Sequence, residues 1–212
     1  MDIKTKVYNF LSEELTRGNL ERNDYITEQY LVDNVGLSRT PIREALFQLV
    51  AEDILEKEPR KGYKFKSYSA SDIKHLYELI GVLDGKVAAD TLDKLTKEDY
   101  AFMRFLIDSM YSAIKNGLYT KYNELQMQFH NVYTNKSLNN FIVEELINKK
   151  NVFIGKAYPK VDPTKLHDLL MQTNKEHEKI LKLLKNHDKY GIRKYLEEVH
   201  WNESYALYDT WK

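Results

Sequence analysis

The chain of 212 residues contains no cysteine, four prolines and eight glycines, and each scarcity closes off a class of explanation. Without cysteine there is neither a disulfide framework nor a thiolate metal site, and a cytoplasmic location becomes the default expectation. No apolar run approaches the length that spans a bilayer, so no membrane partner is expected. Met1-Asp2-Ile3-Lys4-Thr5-Lys6 also lacks the apolar stretch of a secretion signal. Neither sign of charge is in excess: 32 Lys+Arg balance 32 Asp+Glu, and any footprint for nucleic acid has to be local. At 42% hydrophobic and 30% charged residues, the chain is globular and long enough for two modest domains.

Against that neutral background one stretch stands out, Val32-Asp33-Asn34-Val35-Gly36-Leu37-Ser38-Arg39-Thr40-Pro41-Ile42-Arg43-Glu44-Ala45-Leu46. It reads as a short helix, a tight turn at Gly36, and a second helix whose start is marked by Ser38 as N-cap and Pro41 in the first turn. Arg39 and Arg43 lie four apart and share one face, so both guanidinium forks reach one patch of a DNA major groove. Ala45, Leu46, Leu49 and Val50 fall on the opposite face, which predicts burial. Upstream, Val7, Tyr8, Leu11, Leu15 and Leu20 form an amphipathic pattern ended by Gly18, and Thr27 caps the next helix with Glu28 in its first turn.

Downstream, Ile54-Leu55-Glu56-Lys57 and Gly62-Tyr63-Lys64-Phe65-Lys66 flank Pro59-Arg60-Lys61-Gly62 and read as a β-hairpin. Lys57, Arg60, Lys61, Lys64 and Lys66, set against Glu58 alone, make a basic tip in a segment that is otherwise neutral. Such a hairpin behind a recognition helix serves as a wing that reaches the DNA backbone or the adjacent groove.

Three helices followed by this hairpin make a winged helix-turn-helix. The run from Val35 to Leu46, with Leu49, Asp53-Ile54-Leu55 and Arg60-Lys61-Gly62-Tyr63, resembles the GntR family of bacterial transcriptional regulators. The resemblance implies operator contacts by Ser38, Arg39, Thr40 and Arg43, by Gln29 on the preceding helix, and by Lys61 and Gly62 at the wing. Relatives often carry glycine where this chain has Asp53, a change away from the reading face.

After Ser67 strand-like alternation ends, giving domains at 1–67 and 68–212. Ala70 to Asp93, Lys97 to Gly117, Tyr119 to Asn135, Leu138 to Tyr158, Asp162 to Asn186 and Asp188 to the end carry helical periodicity, with Thr96 and Ser137 as caps and Pro159 and Pro163 around one break. The expected architecture is mainly α, with an antiparallel six-helix bundle behind the winged domain. His177 is in register with Ile180, Leu181 and Leu184, and His200 follows Leu196 and Val199, so both point inward. Together with His130 they form either a divalent metal site for Zn or Ni or hydrogen-bonded core residues. His75, His167 and His187 belong on the surface. Trp201, Tyr205, Tyr208 and Trp211 form a stripe that closes the core or makes a subunit contact, with the core as the expectation.

The order Phe129-His130, Glu176-His177 and His200 on the last helix is similar to the FCD ligand-binding domain of the FadR branch of GntR regulators, in its six-helix, VanR-like form. That resemblance implies one divalent metal on His130, His177 and His200 beside a small carboxylate effector. Gln126 stands at the position of an aspartate ligand and is a weaker donor. On the first helix, Leu76-Tyr77-Glu78-Leu79-Ile80-Gly81-Val82-Leu83-Asp84, Ile80 stands where relatives carry an arginine; Tyr77, Ile80 and Asp84 mark the effector pocket. A metal-free pocket for a neutral ligand and a domain that only dimerises are the alternatives.

The functional expectation is a homodimeric, effector-responsive repressor on a palindromic double-stranded operator, and not an enzyme. The rival classes are a metal-dependent enzyme on the same helical domain and an interaction module that does not bind DNA. Against the enzyme stand the missing His-Glu-x-x-His motif, Gly-rich phosphate loop and nucleophile elbow.

Overall fold

The structure is a computed structural model that describes residues 2–155 and 162–209. It is mainly helical and separates into two compact units. The first contains α1 (Ile3–Arg17), α2 (Glu28–Val35), α3 (Arg39–Ala51) and the strands β1 (Leu55–Glu58) and β2 (Gly62–Phe65). The second contains α4 (Ala70–Thr91), α5 (Lys97–Lys115), α6 (Tyr119–Thr134), most of α7 (Asn140–Asn151), α8 (Pro163–Lys185) and α9 (Lys189–Tyr195).

In the first unit, α1 begins at Asp2, whose carboxylate accepts from the Thr5 N–H at 2.7 Å, and ends at Gly18 in the left-handed conformation. Thr27 Oγ1 accepts from Tyr30 N at 3.1 Å to start α2, which ends at left-handed Gly36. Ser38 has the extended backbone of an N-cap, but its side chain makes no capping hydrogen bond, contrary to expectation. α3 buries Ile42, Ala45, Leu46 and Leu49 against Val7, Leu11, Leu31, Leu55 and Phe65, while Val50 is only half-buried. The strands pair antiparallel with Leu55 opposite Phe65 and Glu58 opposite Gly62, so the first strand lies one residue further on than its run in the sequence and the second ends one residue earlier. Ile26 extends this sheet by a bridge to Tyr63, with hydrogen bonds of 2.6 and 2.9 Å.

A segment distant in sequence completes this core. Residues 148–155 belong to the first unit, where Ile154 is 1% exposed among the apolar residues of the winged domain. Arg22 Nη2 donates to the Ile154 carbonyl at 2.6 Å, and the Tyr8 hydroxyl donates to the Asn151 carbonyl at 3.2 Å. Each bond satisfies a backbone oxygen that would otherwise be costly to cover.

In the second unit α5 packs against α6 and α8, and α4 against α9 and the turns that follow it. Capping boxes at Ser69/Asp72 and Thr96/Asp99 start α4 and α5. Asn139 rather than Ser137 caps α7, accepting from Ile142 N at 3.3 Å, so this helix starts later than the sequence suggested. Asp162 caps α8 ahead of Pro163; Tyr158 and Pro159 lie outside the described residues.

The last helix is not continuous. After Tyr195 the backbone widens into a π-turn at Leu196–His200, breaks near Asn202, and resumes as a 3₁₀ helix at Glu203–Asp209. The wider turn buries Leu196 and His200 and leaves Val199 39% exposed, although a regular helical period would group Val199 with them. Trp201 and Tyr205 are half-buried, whereas Trp211 and the side chain of Tyr208 lie outside the described residues. The approach of α4 to this segment depends on a missing side chain: a Cβ on Gly85 would lie 2.9 Å from the Arg193 carbonyl oxygen.

Replacing Ile154 with alanine is expected to lower the stability of the first unit by about 2–5 kcal/mol, the usual range for emptying a buried isoleucine site. Urea denaturation of the full chain reads this as an earlier transition. An unchanged midpoint would mean that residues 148–155 rest on the domain without completing its core.

Candidate nucleic-acid interface and three-histidine centre

Ser38, Arg39, Thr40 and Arg43 are all exposed at the start of α3. Gln29, Arg39, Lys61 and Gly62 line one groove of about 370 Å³, together with Thr27, Glu28, Lys57 and Arg60; Ser38, Thr40 and Arg43 lie outside it. Gly62 is fixed there by geometry: its φ is 113°, and a Cβ would meet the Ile26 carbonyl oxygen at 2.6 Å. Both arginines are held by α2. Arg39 Nη2 donates to Gln29 Oε1 at 2.6 Å, and Arg43 donates through Nε and Nη2 to the two oxygens of Glu28 at 2.9 and 2.8 Å.

The wing is less basic than its lysines suggest. Glu56, absent from the sequence tally, pairs with Lys64 at 3.1 Å, and Glu58 pairs with Lys64 at 2.8 Å and Lys61 at 3.1 Å. The Tyr25 hydroxyl also donates to Glu58 at 2.8 Å. Hydrogen bonds from Lys64, Tyr25 and Lys61 hold the Glu58 carboxyl at a pKa of about 2. Lys66 pairs with Asp53, which adopts a left-handed φ of 62° where glycine would be unstrained. Lys57 lies over the rings of Phe47 and Tyr63 at 5.2 and 5.7 Å. Alternation along paired strands places these acids beside the lysines, a relation that a count along the chain does not contain.

In the second unit His130, His177 and His200 come together, all buried, with one ring nitrogen of each within 4.8 Å of the others. Three different segments supply them: α6, α8 and the π-turn. The rings sit edge to face, His177 at 5.4 Å from His130 and 4.9 Å from His200, with Phe129 against His177 at 4.8 Å. His130 Nε2 and His200 Nε2 are 3.2 Å apart. Gln126 is one turn before His130 and donates to Asn123 Oδ1 at 3.3 Å.

Behind these rings are two acids. Asp84 has no exposed surface and lies 3.1 Å from His130 Nδ1; it accepts from the Tyr133 hydroxyl at 2.8 Å and from Trp201 Nε1 at 2.8 Å. The Tyr133 oxygen is also 2.6 Å from His130 Nδ1. Burial, and then the Asp84 charge, push the Tyr133 phenol well above its ordinary range, so it remains a proton donor. Glu176 is 2% exposed, contacts His200 Nδ1 at 3.0 Å and accepts from Tyr205 at 2.9 Å.

Sequence reading assigned Asp84 to an effector pocket and gave Tyr133 and Glu176 no role. The available signals were Tyr133 three residues beyond His130 and Glu176 beside His177, too local to reveal burial. Tyr77 is buried edge to face with Trp201 at 5.3 Å, and Ile80 is fully buried. His75 and His187 are exposed and His167 is partly so.

Comparison with known proteins agrees with both halves. Residues 3–65 match the model of bacterial regulatory proteins of the gntR family, and residues 75–200 match the FCD domain. The chain is 23% identical to the HTH-type transcriptional regulator McbR of Escherichia coli (strain K12) over 215 residues, covering 100% of this chain and 95% of McbR. It is 27% identical over 133 residues to the HTH-type transcriptional regulator YdhC of Bacillus subtilis (strain 168), a match spanning 62% of this chain and 59% of YdhC. The solved structure of E. coli McbR/YncC shares the fold, with a TM-score of 0.79 at 21% identity over 98% of this chain and 97% of that one. No helix among the described residues is long and apolar enough to cross a membrane. The chain belongs to the GntR family of bacterial regulatory proteins, with an FCD domain behind its winged helix, and is a transcriptional regulator rather than an enzyme.

Proposed function

We propose that this regulator binds a palindromic operator as a cytoplasmic homodimer and represses until a small-molecule effector is held in the helical unit beside a divalent metal. Arg39 and Arg43 would read base edges, with Ser38, Thr40 and Gln29 beside them, and Lys61 and the Gly62 backbone would meet phosphates. Effector binding would shift the population of DNA-competent states, which requires that the effector bind one state more tightly than the other.

The observation that carries the metal reading is the orientation of two imidazoles. An ionised carboxylate only accepts hydrogen bonds, so Asp84 and Glu176 favour N–H at Nδ1 of His130 and His200. Two neutral rings of that tautomer turn Nε2 lone pairs toward each other at 3.2 Å, an arrangement that asks for a cation between them. His177 completes a three-imidazole set, and Gln126 offers a carbonyl as a weaker fourth donor. A bound Zn or Ni ion would supply a coordination position for an effector carboxylate oxygen. Ile80 is apolar and buried, so carboxylate recognition would not come from an arginine at that position. A single shared proton between the two rings is the competing account, and it leaves a pocket for neutral ligands or a domain that only dimerises.

Elemental analysis of untagged protein purified without chelator is expected to find about one equivalent of Zn or Ni per chain, lost in the His130→Ala/His177→Ala variant. Wild-type protein that stays metal-free after incubation with both ions would make the histidines a structural polar cluster.

Arg39→Ala is expected to cost about ten-fold or more in affinity for the operator, concentrated at one base pair of each half-site. Lys61→Ala should instead weaken all duplexes alike and flatten the salt dependence. Fluorescence anisotropy across a salt series separates the two. Unchanged affinity in both variants would refute the assignment of this face.

A further inference from the structure

We propose that Glu28 is a positioning residue for DNA reading: it holds Arg43 by one edge of the guanidinium and so presents the other edge to a base. The inference rests on the operator-binding reading above.

The geometry separates the two edges. Glu28 takes the Nε and Nη2 donors of Arg43, at 2.9 and 2.8 Å. A guanidinium carries five N–H donors in a planar fork, and this side-on pairing leaves the Nη1/Nη2 end unused. Nη1 has no acceptor among the described residues, and the Arg43 side chain is 53% exposed against 28% for Glu28. That free end has the donor spacing for O6 and N7 of guanine. Arg43 therefore has no need to leave Glu28 in order to read a base.

Glu28 is suited to serve as the fixed partner. It opens α2 immediately after the Thr27 cap, where the helix N-terminus favours a carboxylate, and the Arg43 hydrogen bond lowers its pKa further. Arg39 is tethered differently, by one hydrogen bond to the uncharged amide oxygen Gln29 Oε1 at 2.6 Å, with Gln29 Nε2 in turn bonded to Asp33 at 2.7 Å. A two-point clamp on a carboxylate restrains direction, whereas a single hydrogen bond to an amide permits swing. Arg43 thus meets DNA with part of its ordering cost already met. The opposing account makes Glu28 a phosphate mimic that masks Arg43 and weakens every duplex equally; occupation of the side edge alone argues against it.

The test selects duplexes from a random library with the wild-type full chain. The best sequence and its single-base variants are then titrated with wild type, Glu28→Ala, Glu28→Gln, Arg43→Ala and the Glu28→Ala/Arg43→Ala double variant. Glu28→Ala is expected to flatten discrimination about ten-fold at the base pair that Arg43→Ala also flattens, with other positions and the thermal midpoint unchanged. Glu28→Gln should fall between, and Glu28→Ala should add nothing when Arg43 is already alanine. Tighter binding of all duplexes by Glu28→Ala, with a steeper salt dependence, would establish the mask and overturn the proposal. So would an unchanged base profile, which would leave operator reading itself intact. A wild type that selects no sequence would overturn the operator reading and this inference with it.

Discussion

A carboxylate with no exposed surface needs donors around it, and much of the helical unit is arranged to meet that need at Asp84. Desolvating the charge costs several kcal/mol or more by order of magnitude, and it is offset only when the surrounding donors are well placed. Asp84 draws on Tyr133 and His130 from α6 and on Trp201 beyond the π-turn, tying both segments to one side chain of α4. Glu176 repeats the device with His200 and Tyr205. Ring orientation at the centre of the unit follows from these two acids, and Gly85 lets α4 come close enough to the last turns of the chain for Asp84 to reach Trp201.

The winged unit uses charge in the opposite setting. Its ion pairs at the reading face lie in solvent, where they are screened by salt and add little to stability. Glu58 with Lys61 and Lys64, and Glu28 with Arg43, therefore offset part of the positive charge of that face. Such a surface draws weakly on long-range steering and makes base discrimination depend on how the arginines are aimed. Zero net charge and a DNA-reading role are compatible for that reason.

Local signals were legible in the sequence where the cause is local. Gly36, Thr27 and Thr96 mark helix ends by backbone chemistry, and the four-residue step from Arg39 to Arg43 fixes their common face. Long-range causes left no such mark. The 3.6-residue period places Val199 inside, and only the π-turn, set by packing against α4, brings it out. Ile154 closes a short apolar run after a helix, with nothing nearby to say that it fills the core of a domain begun at the start of the chain. Glu28 meets Arg43, and Glu56 meets Lys64, only once helices and strands are paired. The three histidines were found by position, but the acids that orient them carry no sequence signature of burial.

Asp84 and Glu176, on the reading proposed above, fix the tautomers of His130 and His200 and leave both Nε2 atoms available to one cation. Long-range proton–nitrogen correlation spectra of the histidine side chains, recorded on the full chain with and without added Zn, test it most directly. The account predicts protonated Nδ1 and unprotonated Nε2 on both rings, with the Nε2 resonances moving when Zn is added. Protons on Nε2 of both rings, unmoved by Zn, would contradict it.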